Sequence, residues 1–358
     1  MKKMAGLLAV MVFGSVILSG CGAKGNPSPS ASGSSSQKTE QSTKRIGMVT
    51  DVSGVNDNSF NEGAWNGLQR LQTKNEDKVK VKYLESKSNA DYETNMNQFV
   101  QQGWDLKFGI GFPLEDTVKK VAQANPKSLF AIIDSNLGGK IPDNVTAITF
   151  REEQGSFLVG VIAGLMTKTN KVGFIGGVDF AVINRFENGF KAGVKSVNPK
   201  AEITSVYTNS FSAPDLGKQT AATMYDKGAD IIFHASGGTG DGLFNEANER
   251  KNNGQNVWAI GVDKDQSQTF GTKAVLTSMT KRVDNAIFQV CEQFIKGQFN
   301  GGKEVEFGLK DDGVGIASTS DVNVPKDILN KAMEYRQQII DGKITVPRTK
   351  EEFEKFKP

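Results

Sequence analysis

The sequence predicts an α/β protein built as two doubly wound, Rossmann-like lobes joined by several chain crossings. Two observations carry that prediction. From residue 45 onward, short apolar runs recur, each followed by a longer amphipathic stretch, which is the pattern of parallel strands covered on both faces by helices. The pattern also runs through once and starts again near Glu153, in a chain long enough for two domains of ordinary size.

In chain order, the apolar runs predict strands at 45–50, 79–84, 106–110, 129–133, 145–149, 172–175, 203–207, 231–234, 257–262 and 273–278. Helices are predicted between and after them. Residues 63–74 place Leu68 and Leu71 on one side, and 92–102 follows Asn89-Ala90-Asp91, a plausible capping region. The others are 114–124, 153–167, 183–196, 213–227, 242–252 and 284–296. The segment 144–151 is expected to cross into the second lobe, and the strand at 273–278 with the helix at 284–296 to return to the first. The first lobe is therefore expected at 45–148 plus 267–315, and the second at 149–266 plus 316–358. Several crossings permit rotation of the lobes without separation. Ligands of open α/β sheets sit beyond the carboxyl ends of the strands, so the expected site is the cleft between the lobes.

Ahead of this body, Met1-Lys2-Lys3 and the apolar run 4–18 form a signal segment (1–20), too short for a comfortable membrane span. Leu18-Ser19-Gly20-Cys21 resembles the bacterial lipobox, in which a thiol takes a diacylglycerol and small neighbours admit a peptidase. The alternative is an ordinary secretory signal that contains a Cys. Residues 22–44 are Ser, Gly, Pro, Lys and Gln without a large apolar side chain, so 21–44 reads as a lipidated Cys and flexible tether with a reach of roughly 25 Å. A lipidated Cys carrying more than one acyl chain anchors stably. The expected location is the extracytoplasmic face of the cell membrane.

The net charge of +3, lower still once Lys2 and Lys3 are removed, is not that of a nucleic-acid-binding protein. With Cys21 lipidated, Cys291 has no disulfide partner. One His (His234) and one unmodified Cys make a His/Cys metal site implausible. No cofactor is expected.

The strand exits carry the candidate chemistry. The first, Thr50 to Gly63, is dense in polar groups around Asp51, Asn58 and the single aromatic Phe60, the mixture a heteroaromatic ligand needs; a capped loop with Phe60 in the core is the alternative. Asp134 and Asp263 each follow a buried strand, in equivalent positions of the two lobes, where a carboxylate can accept from vicinal hydroxyls. Taken singly, each reads first as a solvated strand end or a helix cap, a reading that their equivalent positions in the two lobes weaken; a general acid/base pair is a further alternative. The glycine turn His234 to Gly242 brings Gly237 and Gly238 to a helix start, without the spacing of a dinucleotide or phosphate loop. Phe186 is either a second stacking ring or a core residue. Lys281 is a ligand contact, a partner of Asp263, or an exposed lysine.

The stretches Ile46 to Asp51, Asp57 to Asn61, Phe108 to Phe112, Gly155 to Gly164, Gly237 to Gly242, Gly261-Val262-Asp263 and Ser278 to Arg282, in this order, resemble the basic-membrane-protein family. The resemblance runs over nearly all of 45–346. It implies a type I periplasmic-binding fold, a purine-type nucleoside as ligand, and delivery to an ABC permease. By motif, it implies Asp51 and Phe60 as base contacts, with Asn58 in the same stretch, and Phe186 as the opposing ring. Asp134 would face the cleft, Gly237 and Gly238 would line it, and Asp263 would hold the ribose hydroxyls beside Lys281. The protein is expected to act as a monomer and not as an enzyme. Two alternatives are a lipid-anchored sensor or surface-interaction protein and a nucleoside-cleaving enzyme.

Overall fold

The computed structural model describes residues 43–357. The expected signal segment, Cys21 and the tether as far as residue 42 lie outside the described residues.

The first sheet begins with β1 (Lys44–Val49), β2 (Val79–Leu84), β3 (Leu106–Gly109), β4 (Leu129–Ile133) and β5 (Val145–Phe150), interleaved with α1 (Phe60–Asn75), α2 (Asp91–Gln101) and α3 (Glu115–Ala124). The chain then crosses into α4 (Glu152–Met166), β6 (Lys171–Gly176), α5 (Ala181–Val197), β7 (Glu202–Tyr207), α6 (Pro214–Asp226), β8 (Ile231–Ala235), α7 (Asp241–Asn252), β9 (Trp258–Asp263), the short α8 (Ser267–Phe270) and β10 (Val275–Lys281). It ends with α9 (Val283–Ile295), β11 (Lys303–Phe307), β12 (Val314–Ile316), α10 (Lys326–Ile340) and α11 (Lys350–Lys355). The two six-stranded sheets have matching orders, β11-β5-β4-β3-β1-β2 and β12-β10-β9-β8-β6-β7. All pairings are parallel except β10 with β12.

The matching orders make β4 the counterpart of β9, and β5 the counterpart of β10. The strand expected at 273–278 therefore does not return to the first lobe. It pairs with β9 from Val275 to Thr280, and the chain crosses back only afterwards, at Arg282, into α9, which packs on α1. Residues 267–281 thus belong with the second sheet. Lys44, assigned to the tether from sequence, opens β1.

Three crossings join the lobes. The first two turn at Arg151 (φ −94°, ψ 67°) and Arg282 (φ −82°, ψ 58°), which share nearly one backbone conformation. The third, between β11 and β12, is bonded to both: Arg151 N–H donates to Phe307 O (2.9 Å) and Arg282 N–H to Gly313 O (2.8 Å).

The Gly155 to Gly164 block lies on α4, which is buried through almost its whole length, as a helix apolar on all sides must be. A Cβ on Gly160 would collide with the carbonyl of Phe190 on α5, and one on Gly193 with that of Phe157 on α4. The two helices pack backbone to backbone and fix the floor of the second lobe. Among the described residues no helix is long and apolar enough to cross a membrane.

Candidate ligand-binding site

The carboxyl ends of both sheets face a common cavity between the lobes, the place where open α/β sheets take their ligands. The loop after β1 is built by its own carboxylates. Asp57 accepts the backbone N–H groups of Ser59 (3.0 Å), Asn61 (2.8 Å) and Glu62 (3.0 Å), satisfying the free donors at the start of α1. Asn61 donates to both Asp57 (3.0 Å) and Asp51 (2.9 Å), and Ser53 N–H donates to Asp51 (2.9 Å). This frame points Phe60 and Asp51 into the cavity. Burial, with Asp57 nearby, raises the Asp51 pKa to about 6. Gly111 (φ 99°) lets the β3 exit pass close by, since a Cβ there would stand 3.3 Å from the Phe60 ring.

At the other end lies a buried ionic cluster. Lys281, 3 % exposed, places its ammonium 2.6 Å from Asp134 and 3.2 Å from Glu152. It also lies about 5 Å from the ring centres of Phe60, Phe150 and Phe186. Arg185 donates to the second oxygen of Glu152 at 2.6 Å. Burial pulls the Lys281 pKa down, but Asp134, Glu152 and Asp263 outweigh it and hold the ammonium above the ordinary lysine value. Burial pushes Asp134 above the carboxylate range against the pull of Lys281. Burial acts the same way on Glu152, where Arg185 and Lys281 prevail and hold it below. Asp263 accepts the hydroxyl of Ser59 from the opposite lobe, and its pKa is raised by burial to about 7, with Lys281 opposing.

Asp51, Phe60, Asp134, Phe186, Gly237, Asp263 and Lys281 all line this cavity. Asn58 and Gly238 do not. Asn58 (φ 51°) instead bridges the lobes, its amide donating to Asp241 at 3.1 Å. Lys281 is neither exposed nor paired with Asp263; its partners are Asp134 and Glu152. Phe186 is both wall and core, 3 % exposed and packed 6.4 Å from Phe233. The remaining glycines of the 237–242 turn make room for protein rather than ligand: a Cβ on Gly240 would strike the His234 ring, and one on Gly242 the carbonyl of Pro214. Cys291 is buried.

Sequence reasoning missed Glu152 and Arg185, which read as ordinary helix-start charges, and two aromatic walls, Phe112 and Phe211. Phe211 is a lone aromatic in a Ser-rich loop after β7, the same signal that singled out Phe60. Phe112 stacks across the cleft on Phe180 (4.1 Å, 6°).

Two doubly wound lobes closing on one aromatic and carboxylate-lined cavity define a solute-binding protein. The chain belongs to the Bmp family, described as ABC transporter substrate-binding protein PnrA-like, whose model matches residues 44–350. It is 44 % identical to the CD4+ T-cell-stimulating antigen of Listeria innocua, covering 95 % of this chain and 97 % of the relative. It is 41 % identical to the ABC transporter nucleoside-binding protein BmpA of Lactococcus lactis subsp. cremoris (97 % and 99 %), and 32 % identical to basic membrane protein A1 of Borrelia garinii (98 % and 98 %). Among solved structures, a solute-binding protein of an ABC transporter system from Aeropyrum pernix superposes with a TM-score of 0.78 at 27 % identity, covering 87 % of this chain and 96 % of that one. One from Conexibacter woesei (TM-score 0.68, 24 % identity, 86 % and 99 %) shares the fold. The protein is thus an ABC transporter substrate-binding protein, a class that works on the extracytoplasmic side of the membrane.

Proposed function

We propose that this protein captures a purine-type nucleoside between its lobes and delivers it to an ABC permease, held at the membrane by a lipid on Cys21. The observation that carries the reading is a single cavity with aromatic walls and a buried carboxylate at each end. Phe60 offers a ring face beside Asp51, whose carboxylate can accept from a base edge. Phe112 and Phe211 close the same end, and Phe211 is tied to it by the Ser53 hydroxyl on its carbonyl (3.4 Å). Asp263, with Lys281 and Asp134 beside it, suits the vicinal hydroxyls of a ribose. The Lys281 ammonium lies 5.0 Å from the Phe60 ring centre and 5.4 Å from that of Phe186, so the two rings flank one point of the cavity, which supports Phe186 as the ring opposite Phe60. The relative in Lactococcus lactis is itself named nucleoside-binding.

Capture is by clamp closure: the ligand rests on one lobe and is completed by the other, and closure is favoured only by its differential affinity for the closed form. No turnover is expected. His234 is fully buried and held between Ser236 (3.2 Å) and Gln266 (2.9 Å), away from the carboxylates of the cavity.

The test is to denature protein purified without any unfolding step and identify the released small molecules by mass spectrometry. An intact purine nucleoside near one per protein is the expected result. A sugar or amino acid alone would refute the ligand class, and a free base with free ribose would point to cleavage.

A further inference from the structure

His234 and Gln266 are both fully buried, and neither lines the ligand cavity. Their bonding is nonetheless fully determined. Val262 N–H, which can only donate, points at Gln266 Oε1 (2.8 Å). That oxygen is therefore the acceptor, and the carboxamide cannot be flipped. His234 Nε2 lies 2.9 Å from the same oxygen and must carry the imidazole proton, while Nδ1 accepts from the Ser236 hydroxyl at 3.2 Å. The amide NH2 of Gln266 is left with one direction, and it donates to the backbone carbonyl of Asn58 in the opposite lobe at 3.2 Å. Room for this chain comes from two glycines. A Cβ on Gly240 would collide with the His234 ring, and one on Gly261 would stand 2.8 Å from Gln266 Oε1. The receiving carbonyl is presented by the left-handed backbone at Asn58 (φ 51°), whose own amide holds Asp241 across the cleft at 3.1 Å.

We infer that Gln266 is a positioning residue: aimed by His234 and Val262 N–H, it latches the Asn58 carbonyl across the cleft and holds the lobes around a ligand it never touches. When the lobes part, the Asn58 bond breaks while the bonds inside the second lobe persist. The latch therefore acts on how long the closed form lasts. The inference rests on the proposed capture of a nucleoside by lobe closure.

The test uses the mature protein with guanosine as probe. Gln266→Glu keeps an acceptor for Val262 N–H and His234 and, measured above pH 8 so that the carboxyl beside His234 is ionised, puts an acceptor-only group where the donor faced the Asn58 carbonyl. In stopped-flow measurements this variant should release guanosine roughly tenfold faster or more, with the association rate within about threefold of the parent. Release at the parental rate from folded Gln266→Glu protein would overturn the latch. A second readout avoids substitution. The sequence contains one histidine, so its side-chain 15N resonances are unambiguous. They should show the Nε2–H tautomer and shift when guanosine closes the lobes; resonances unmoved at saturation would also overturn it. Failure of the parent protein to bind any nucleoside would instead refute the functional reading, so the two failures are distinct.

Discussion

Asp134 and Asp263 stand at the ends of counterpart strands, β4 and β9, and both adopt the left-handed backbone conformation with φ 65°. Residues other than glycine adopt that conformation at a cost of roughly 1–2 kcal/mol. The same conformation at the same place in each lobe brings two carboxylates to one cavity, one beside Lys281 and the other facing Ser59.

Asp263→Ala removes the carboxylate assigned to the sugar while leaving the base end intact. A hydrogen bond to a charged group contributes about 1.5–3 kcal/mol, so nucleoside affinity should fall by roughly one to two orders of magnitude. Free purine bases should be affected far less, and calorimetry with matched nucleoside and base pairs measures the contrast. Equal losses for both would reject the ribose assignment.

Lys281→Met leaves Asp134 and Glu152 buried without their shared cation. Breaking one side of a buried ionic group costs about 3–5 kcal/mol, so the urea midpoint should drop sharply and nucleoside binding should be lost. Lys281→Arg should recover part of the stability. An unchanged midpoint in Lys281→Met would show that the cluster is not held by its charge.

Binding should depend on pH through Asp263 and Asp51, whose pKa values burial raises to about 7 and about 6. Ligand hydroxyl and N–H donors favour the ionised forms, so binding releases protons and weakens as pH falls below 7. Calorimetry in buffers of different ionisation enthalpy detects that release. Stability of the empty protein moves the other way. The folded chain holds the Asp263 proton more tightly than the unfolded chain, so this contribution is full below about pH 4 and is lost as pH rises through 7. Asp263→Asn should flatten that part of the stability profile.

Gly160→Ala forces a methyl group against the Phe190 carbonyl between α4 and α5. The expected loss is about 1–3 kcal/mol, read as a lower midpoint in chemical unfolding with Phe190 packing as its cause. A midpoint matching the parent would show that the two helices can separate without penalty.

The inner parallel strands such as β4 and β8 were legible because burial on both faces makes them continuous apolar runs, and the edge strands β2 and β7 because they alternate. β11, reading Lys-Glu-Val-Glu-Phe, and the three-residue β12 give no such signal. The lobe assignment of β10 was not legible, because nothing local marks whether a chain crosses before a strand or after it. At the site, the strand-end carboxylates and the lone aromatic of a polar loop singled out in the sequence come together on one cavity between the lobes. Glu152 escaped notice because a Glu in the first turn of a helix is normally a solvated partner of the dipole; it is buried only because α4 starts at the cleft floor. Asn58 does not line the cavity; its amide and its backbone carbonyl both bond across the cleft, partners that no local sequence pattern reveals.

The most direct test of nucleoside capture is a calorimetric titration of the unlipidated chain, unfolded and refolded to remove carried-over ligand, with adenosine, guanosine, inosine, uridine, cytidine, free bases and ribose. Saturable heat from purine nucleosides at micromolar affinity or tighter, about −8 kcal/mol, is the expected result, with pyrimidine nucleosides and ribose weaker. Absence of heat from every nucleoside, with the protein folded, would contradict nucleoside capture while leaving the family and the fold unchanged.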